Sequence, residues 1–441
     1  MDTLAINGGK PAVPKGLIKK WPPIDDSDRK MVLASLNSDV HTYGQNYLAF
    51  QKEFAAWNGN QYAIFTNSGT AALHMGLVGC GLSAGDHVLV TAYSWSSSAT
   101  CILHHNCIPI FVDIDFDTIN IDVNKIEQAI TPKTKAIVVV HLHGLAVNMD
   151  KVMRIARKHK LHVIEDACQA HGALFKGRKV GTFGDCAAFS FNQNKCLCTG
   201  EGGMFVTNNE EIYKKAQSLW SFGETRAPDQ SRDYHAYALG WMYRNSDMVA
   251  AFGRSQLKKM NRYLDLQWEH GALLLKELKG LPALILPTEP KGHKHNWYNF
   301  TSRVNPAAAG WTGEPRRFTS AVQIALRAEG VTVGVWQSFI LPSMTVFQAQ
   351  NAYGQGCPWK CHLTQPVSYN PADYPVALRH IATHFGMTTP LRAPNGKNAV
   401  KAVARAFQKV FGNLGRLDVE RILAEAKKAA ELRKQQAARK K

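Results

Sequence analysis

The sequence predicts an α/β protein: one large, mainly parallel seven-stranded sheet with helices on both faces, followed by a smaller α+β domain. Three observations predict it. Seven short β-rich runs, at 62–66, 87–91, 108–114, 136–141, 162–166, 186–191 and 204–207, are separated mostly by helical stretches. From about Ser246 that alternation gives way to a long helical stretch, DMVAAFGRSQLKKMNRYLDLQWEHGALLLKELKG, which suits a bridge between domains. A chain of 441 residues also exceeds one ordinary core, so two unequal domains with appendages are expected.

Taken in order, residues 1 to about 36 read as an extended arm and a helix. Trp21, Pro22 and Pro23 stop the arm, and DDSDRKMVLASL places capping acids ahead of an apolar-periodic stretch. TYGQNYLAFQKEFAAWNG then supplies a glycine turn and an amphipathic helix ending at Gly59. Beyond the long helix, strands are expected near 299–304 and 331–335, and helices near 319–329 and 375–382. From Lys397 the chain is rich in Ala, Lys and Arg without proline, which reads as one or two surface helices fraying into a basic end. The expected divisions are 1–256 for the large domain with its arm, 257–400 for the small domain and 401–441 for the tail.

Hydrophobic residues at 45% and charged residues at 20% are the composition of a soluble globular protein, and no apolar run approaches the roughly 20 residues of a membrane helix. The amino terminus carries no basic segment leading into an apolar one, so a cytoplasmic protein without a secretory signal is expected. Nine cysteines scattered through strand and helix patterns point to reduced thiols. Cys357 and Cys361, with His362 beside them, lack the further ligands a metal site needs, and no metal is expected. The net charge of +18 is uneven: from Lys401 onward there are twelve basic against four acidic residues. A moderately basic enzyme with a basic tail explains it, and nucleic acid is not an expected partner.

One stretch carries chemistry. The strand ending in Glu165 and Asp166 and the strand running into Asn192, Gln193, Asn194 and Lys195 place an acid and a lysine at the carboxyl ends of two strands, where an α/β sheet opens onto its ligand crevice. That pairing suits pyridoxal phosphate. A lysine amine condenses with the cofactor aldehyde, and a buried carboxylate keeps the pyridine nitrogen protonated so that the ring accepts electrons. Lys195 taken alone would be a solvated loop lysine. Asn67, Ser68, Gly69 and Thr70 lie between a strand and a helical stretch, where free backbone N–H groups and the helix dipole can hold a phosphate; the alternative is plain helix capping by Ser68 or Thr70.

The segments EDACQAHGA (165–173), FSFNQNK (189–195) and GEGG (200–203) together resemble the signature of the DegT/DnrJ/StrS family of fold type I aminotransferases, which act on keto sugars and cyclitols. The resemblance runs from about Trp21 to about Pro394. It implies a homodimer that uses pyridoxal 5'-phosphate and takes glutamate or glutamine as amino donor and a keto sugar or cyclitol as acceptor. By the same resemblance Lys195 is anchor and general base, Asp166 the pyridine partner, Gly69, Thr70 and Ser190 the phosphate cradle, Trp95 the stacking ring and Gln169 a neighbour of the phenolic oxygen. His171 and His141 are candidate pocket walls, either of which can instead be a structural histidine. Met242 stands where many relatives carry an asparagine that reaches the neighbouring subunit's phosphate; Arg244 or Asn245 would have to supply that donor. Two rivals stand beside this: a dehydratase on the same scaffold, in which histidine replaces the lysine, and a cofactor-binding regulator whose tail contacts nucleic acid. His143, Asn192, Asn194, Trp297, Tyr298, Trp336 and the YGQGCPW stretch offer polar and aromatic surfaces for a hydroxylated ring, or else ordinary core. No arginine cluster suited to a diphosphate is visible, so an acceptor without a nucleotide handle is expected; the alternative is an anion site from Arg226, Arg232 or Arg244.

Overall fold

All seven expected strands of the large sheet form. The computed structural model describes residues 3–225, 231–232, 234–362 and 366–438. In chain order β1 (Tyr62–Thr66), β2 (His87–Thr91), β3 (Ile108–Val112), β4 (Thr134–Val140) and β5 (His162–Asp166) precede a short pair, β6 (Leu174–Phe175) and β7 (Arg178–Lys179), and then β8 (Cys186–Ser190) and β9 (Gly203–Thr207). The large sheet has the order β1-β9-β8-β5-β4-β2-β3. It is parallel except at β9, which runs antiparallel to both β1 and β8. Parallel neighbours need crossovers; α4 (Ser97–His104) between β2 and β3 and α5 (Met149–His159) between β4 and β5 supply two of them, while α3 (Gly69–Gly79) carries the chain from β1 to β2. The antiparallel β8 and β9 need none, so residues 191–202 are free to form a loop over the sheet's carboxyl edge, and this loop carries Lys195.

The helices form for readable reasons. In α1 (Asp26–Leu36) the Asp25 carboxylate accepts from the amides of Ser27 and Asp28, and Asp28 reaches back to the Asp25 amide. The next helix, α2 (Gln45–Asn58), stops at Gly59, whose φ of 95° a side chain would oppose. After α6 (Glu210–Trp220), the 32-residue α7 (Asp247–Leu278) begins where Ser246 caps the Val249 amide, and it spans both cores as the bridge expected.

The second core surrounds a three-stranded antiparallel sheet of β10 (Leu284–Ile285), β12 (Phe300–Val304) and β13 (His384–Met387); β11 (His293–Lys294) pairs instead with β6. Its helices are α8 (Pro315–Ala328) and α12 (Lys397–Phe411), while α9 (Thr345–Gln348), α10 (Trp359–His362) and α11 (Pro375–Thr383) lie between them in sequence. Four expectations need correction here. Residues 331–335 are no strand: they touch the sheet only through a bridge from Gly334 to Gly386, because the edge of β12 is taken by β13. The arm belongs to the small core, where Leu4 and Val13 pack, while Leu341, Phe347, Trp359 and Tyr369 cross back onto the large one. The division at 400/401 falls inside α12, whose Val403, Phe407, Val410 and Phe411 are buried in the small core. Finally, Cys357 and Cys361 are joined by a disulfide with Cα atoms 5.4 Å apart, against the expectation of thiols throughout. Among the described residues no helix is long and apolar enough to cross a membrane, and no cluster of three or more His, Cys, Asp or Glu residues is arranged to hold a metal.

The last helix, α13 (Val419–Ala438), anchors through buried Val419 and Ile422 and is solvent-facing over 427–436. Removing residues 427–441 should therefore leave turnover within a few-fold, checked by steady-state kinetics of the truncated chain. A collapse of activity would show that the basic end packs on the core.

Candidate active site

Adjacent strands bring the acid and the lysine loop together. In the parallel register of β5 and β8, Asp166 lies opposite Ala188, so the chain leaving β8 through Ser190 passes beside the Asp166 carboxylate. A cavity of about 380 Å³ opens there, lined by Gly69, Thr70, Trp95, Asp166, Gln169, Ser190 and Lys195 together with Asn192, Asn194, Glu201, Tyr298 and Trp336. Seven residues proposed from sequence as catalytic or cofactor-binding thus share one cavity.

Its narrow end is built from backbone in close contact. Ser68 caps α3 by accepting from the Ala71 amide at 3.1 Å. That is the capping alternative realised, and it leaves the Gly69 and Thr70 amides, which have no intrahelical acceptor, at the positive end of the helix. A side chain on Gly69 would lie 2.8 Å from both the Ser190 Cβ and the Cys168 Sγ, and one on Gly203 would lie 2.4 Å from the Ser68 carbonyl oxygen. Only glycine at both places lets β8, β9 and the helix N-terminus converge. The resulting cradle, with the Ser190 hydroxyl beside it, fits a phosphate.

The opposite requirement, a buried anion, is met by Asp166. It is 4% exposed, accepts from the Ser98 hydroxyl at 2.7 Å and from the Cys168 amide at 3.2 Å, and has no ion-pair partner among the described residues. A carboxylate buried without a cation is costly, and a protonated ring nitrogen is the kind of partner that would relieve it. Ser98, itself held by Ser94 at 2.8 Å, was not singled out in the sequence because it is one of three consecutive serines. Gln169 accepts the His143 amide through Oε1 at 2.8 Å, which assigns that end as oxygen and leaves the Nε2 end as the donor at the cavity. Trp95 is 54% exposed, which excludes its being a core tryptophan.

The Lys195 loop is held from three sides. Its own amide donates to the Asn192 carbonyl at 2.8 Å, the Trp21 indole donates to the Lys195 carbonyl at 2.9 Å, and Arg392 donates to the carbonyls of Asn194 at 2.7 Å and Tyr298 at 2.9 Å. The ammonium of Lys195 lies 4.9 Å from the centre of the Tyr298 ring. Arg392 is 1% exposed and ties the loop to the small core; nothing in its local sequence marks it.

The substrate candidates fare differently. His141 does not face the cavity: its Nε2 is 2.9 Å from Glu165 and its Nδ1 accepts from the Val147 amide. His171 is fully buried against Phe189 and Phe191, with neither ring nitrogen hydrogen-bonded among the described residues. Burial, with Lys195 and Arg392 nearby, pushes it down to about 3, so it stays neutral. The Asn245 amide is used by the carbonyls of Thr66 and Glu201, and Arg244 lies over the Phe222 ring at 5.1 Å; neither lines the cavity. Met242 is 52% exposed. Arg226 lies outside the described residues. Of the expected aromatic surfaces Tyr298 and Trp336 line the cavity, whereas Trp297 and Trp359 are core.

The chain is similar to the L-glutamine:2-deoxy-scyllo-inosose aminotransferase of Micromonospora echinospora, 29% identical over 436 residues, which cover 94% of this chain and 99% of that protein. It is also similar to the GDP-perosamine synthase of Caulobacter vibrioides, 40% identical over 244 residues, or 55% and 65% of the two chains. The X-ray structure of the aminotransferase from Psychrobacter cryohalolentis superimposes with a TM-score of 0.76 at 28% identity, covering 90% of this chain and 99% of that one. The architecture is that of the fold type I aminotransferases. Residues 22–359, which hold the α3 cradle, Asp166 and the Lys195 loop, match the DegT/DnrJ/EryC1/StrS aminotransferase family, and the chain belongs to it.

Proposed function

We propose that the chain is a pyridoxal-phosphate-dependent aminotransferase that moves an amino group from glutamate or glutamine to a keto sugar or keto cyclitol, both substrates using one cavity in turn. The observation that carries this is the single cavity shared by Lys195, the Asp166 carboxylate without an ion-pair partner among the described residues, and the Gly69 and Thr70 amides at the N-terminus of α3. When bound, the cofactor would supply an aldehyde to condense with amines and a ring that accepts the electrons of a breaking C–H bond. The amides of Gly69 and Thr70 and the Ser190 hydroxyl would hold its phosphate, Asp166 its ring N–H, Gln169 Nε2 its phenolic oxygen, and Trp95 would cover one face. Lys195 Nζ anchors the group and, once released, carries the proton taken from the donor's α-carbon.

Two further points belong to this reading. A homodimer is supported by Tyr237, Leu239 and Met242, large apolar side chains exposed along a segment whose Met242 carbonyl accepts from Asn67, the residue before the cavity-lining Ser68. A cytoplasmic location is supported by seven cysteines that are free thiols.

The test is to add glutamate or glutamine to purified holoenzyme and follow the visible absorption, which should shift as the amino group is taken up. In Asp166→Asn the cofactor should still be bound, but turnover should fall by on the order of 10² or more, because an uncharged amide cannot keep the ring nitrogen protonated. Near-normal kcat in that variant would remove Asp166 from the role.

A further inference from the structure

We infer that Ser98, backed by Ser94, is a positioning residue for the reaction: it fixes the plane of the Asp166 carboxylate and ties that carboxylate to the turn that carries Trp95. The inference rests on the aminotransferase reading above. An aspartate does little to fix that plane itself, because rotation about its Cβ–Cγ bond is a soft, broad torsion. A hydrogen bond from a ring N–H, by contrast, is best when the N–H lies near the plane of the carboxylate that accepts it. Here each oxygen has a donor: the Ser98 hydroxyl on Oδ2 at 2.7 Å and the Cys168 amide on Oδ1 at 3.2 Å. Held at both oxygens, the group is kept from turning, and its remaining lone pairs are those available to the cavity that Asp166 lines.

The second serine gives the first its direction. Ser98 has one hydroxyl proton and donates it to Asp166, so across the 2.8 Å contact between the two hydroxyls Ser94 is the donor. The chain from Ser94 through Ser98 to Asp166 therefore runs one way, and a hydroxyl whose oxygen already accepts a proton is the stronger donor to a carboxylate. Both serines are closed to solvent, 1% and 0% exposed, so bulk water does not compete for these bonds. Their turn is itself fastened: the Ala92 carbonyl accepts from the Leu341 amide at 2.8 Å, and the Tyr93 hydroxyl is hydrogen-bonded to His384 Nε2 at 3.1 Å. Trp95 stands between the two serines in sequence and lines the same cavity. The ring proposed to cover the cofactor's face and the acid proposed to hold its N–H are thus joined through one residue, since the Ser98 amide donates to the Trp95 carbonyl at 3.1 Å while its hydroxyl donates to Asp166.

The experiment loads wild type, Ser98→Ala, Ser94→Ala and the double variant with pyridoxal phosphate isotopically labelled at its ring nitrogen. The NMR shift of that nitrogen is recorded together with kcat and KM for glutamate or glutamine. Wild type tests the reading on which the inference rests: if it binds no cofactor, or holds it with an unprotonated ring nitrogen, the role of Asp166 fails and the inference goes with it. With a protonated nitrogen in wild type, Ser98→Ala should move the signal toward the unprotonated value and lower kcat by about tenfold, with the donor KM changed by less than about threefold. Ser94→Ala should act in the same direction and more weakly, by about threefold in kcat, and the double variant should be no worse than Ser98→Ala, since Ser94 reaches Asp166 through Ser98. Should Ser98→Ala fail to hold the cofactor, Ser94→Ala decides, because it leaves Asp166 both of its donors: a displaced nitrogen signal supports the inference and an unmoved one overturns it. An unmoved signal in a loaded Ser98→Ala overturns the inference even if kcat falls, because a serine that merely supported the fold would lower the folded fraction and leave the ring nitrogen as it was. Effects of the two serines that multiply in the double variant would overturn the part assigned to Ser94.

Discussion

Replacing Lys195 by alanine is expected to reduce turnover by on the order of 10⁴ or more, because the proposed mechanism gives one amine both roles, covalent anchor and proton carrier. No second amine lines the cavity among the described residues, so none can substitute in place. Borohydride reduction followed by intact-mass measurement should give a cofactor adduct on the wild-type chain and none on the variant. The loop itself should survive, since its contacts to Trp21, Asn192 and Arg392 are made by backbone atoms that alanine keeps. A small exogenous amine should therefore restore part of the proton transfer in the variant. An adduct retained by Lys195→Ala would place the chemistry on another lysine.

The central strands and the lysine loop were legible because they depend on local spacing. Asp166 closes one strand and Lys195 follows another by five residues past Ser190, and parallel neighbours align such ends without further information. The misassignment of His141 has an equally simple cause. Val140 pairs with Asp166 and Val139 with Glu165, and side chains alternate along a strand, so His141 falls on the Glu165 face, away from the cavity. That alternation was available in the sequence, but it needs the register of two strands, which the sequence does not print.

Other parts of the site depend on contacts between distant segments. Arg392 meets Asn194 across 198 positions and Trp21 meets Lys195 across 174, and no local pattern announces either. Which core a segment joins is hidden for a related reason. Residues 341–369 supply Leu341, Phe347 and Tyr369 to the large core although they follow strands of the small one, and an apolar stretch does not say which core it joins. The strand at His384–Met387 was missed because its four residues include a histidine and a glycine; Gly386 is required there, since a Cβ would lie 2.4 Å from the Asn299 side chain.

Glu165, adjacent in sequence to Asp166, should prove a structural residue with a large stability effect. Its carboxylate is fully buried and accepts four hydrogen bonds: from His141 Nε2 at 2.9 Å and from the amides of Gly181 at 2.6 Å and of Phe183 and Gly184 at 2.7 Å each. Because the Val147 amide donates to Nδ1, the proton of His141 must reside on Nε2, so the imidazole is a neutral donor that cannot switch tautomer without losing Val147. Burial alone would raise the Glu165 carboxyl, but His141 and the surrounding amides outweigh it and hold the group below its ordinary value. Glu165→Gln keeps the shape and turns an NH₂ toward two of the four donors, leaving each without an acceptor. At roughly 1–3 kcal/mol for each buried donor so stranded, the loss should be about 3–5 kcal/mol, read as a lower midpoint in thermal or urea unfolding. The pH dependence follows from the sign of the shift. With the folded-state pKa depressed, the carboxylate's contribution is complete above the unfolded value of about 4.3 and falls away as pH drops through the folded one. Wild type and Glu165→Gln should therefore differ most near neutrality and converge in acid. Equal midpoints at pH 7 would mean that the four donors find other partners and that the strand end does not depend on this carboxylate.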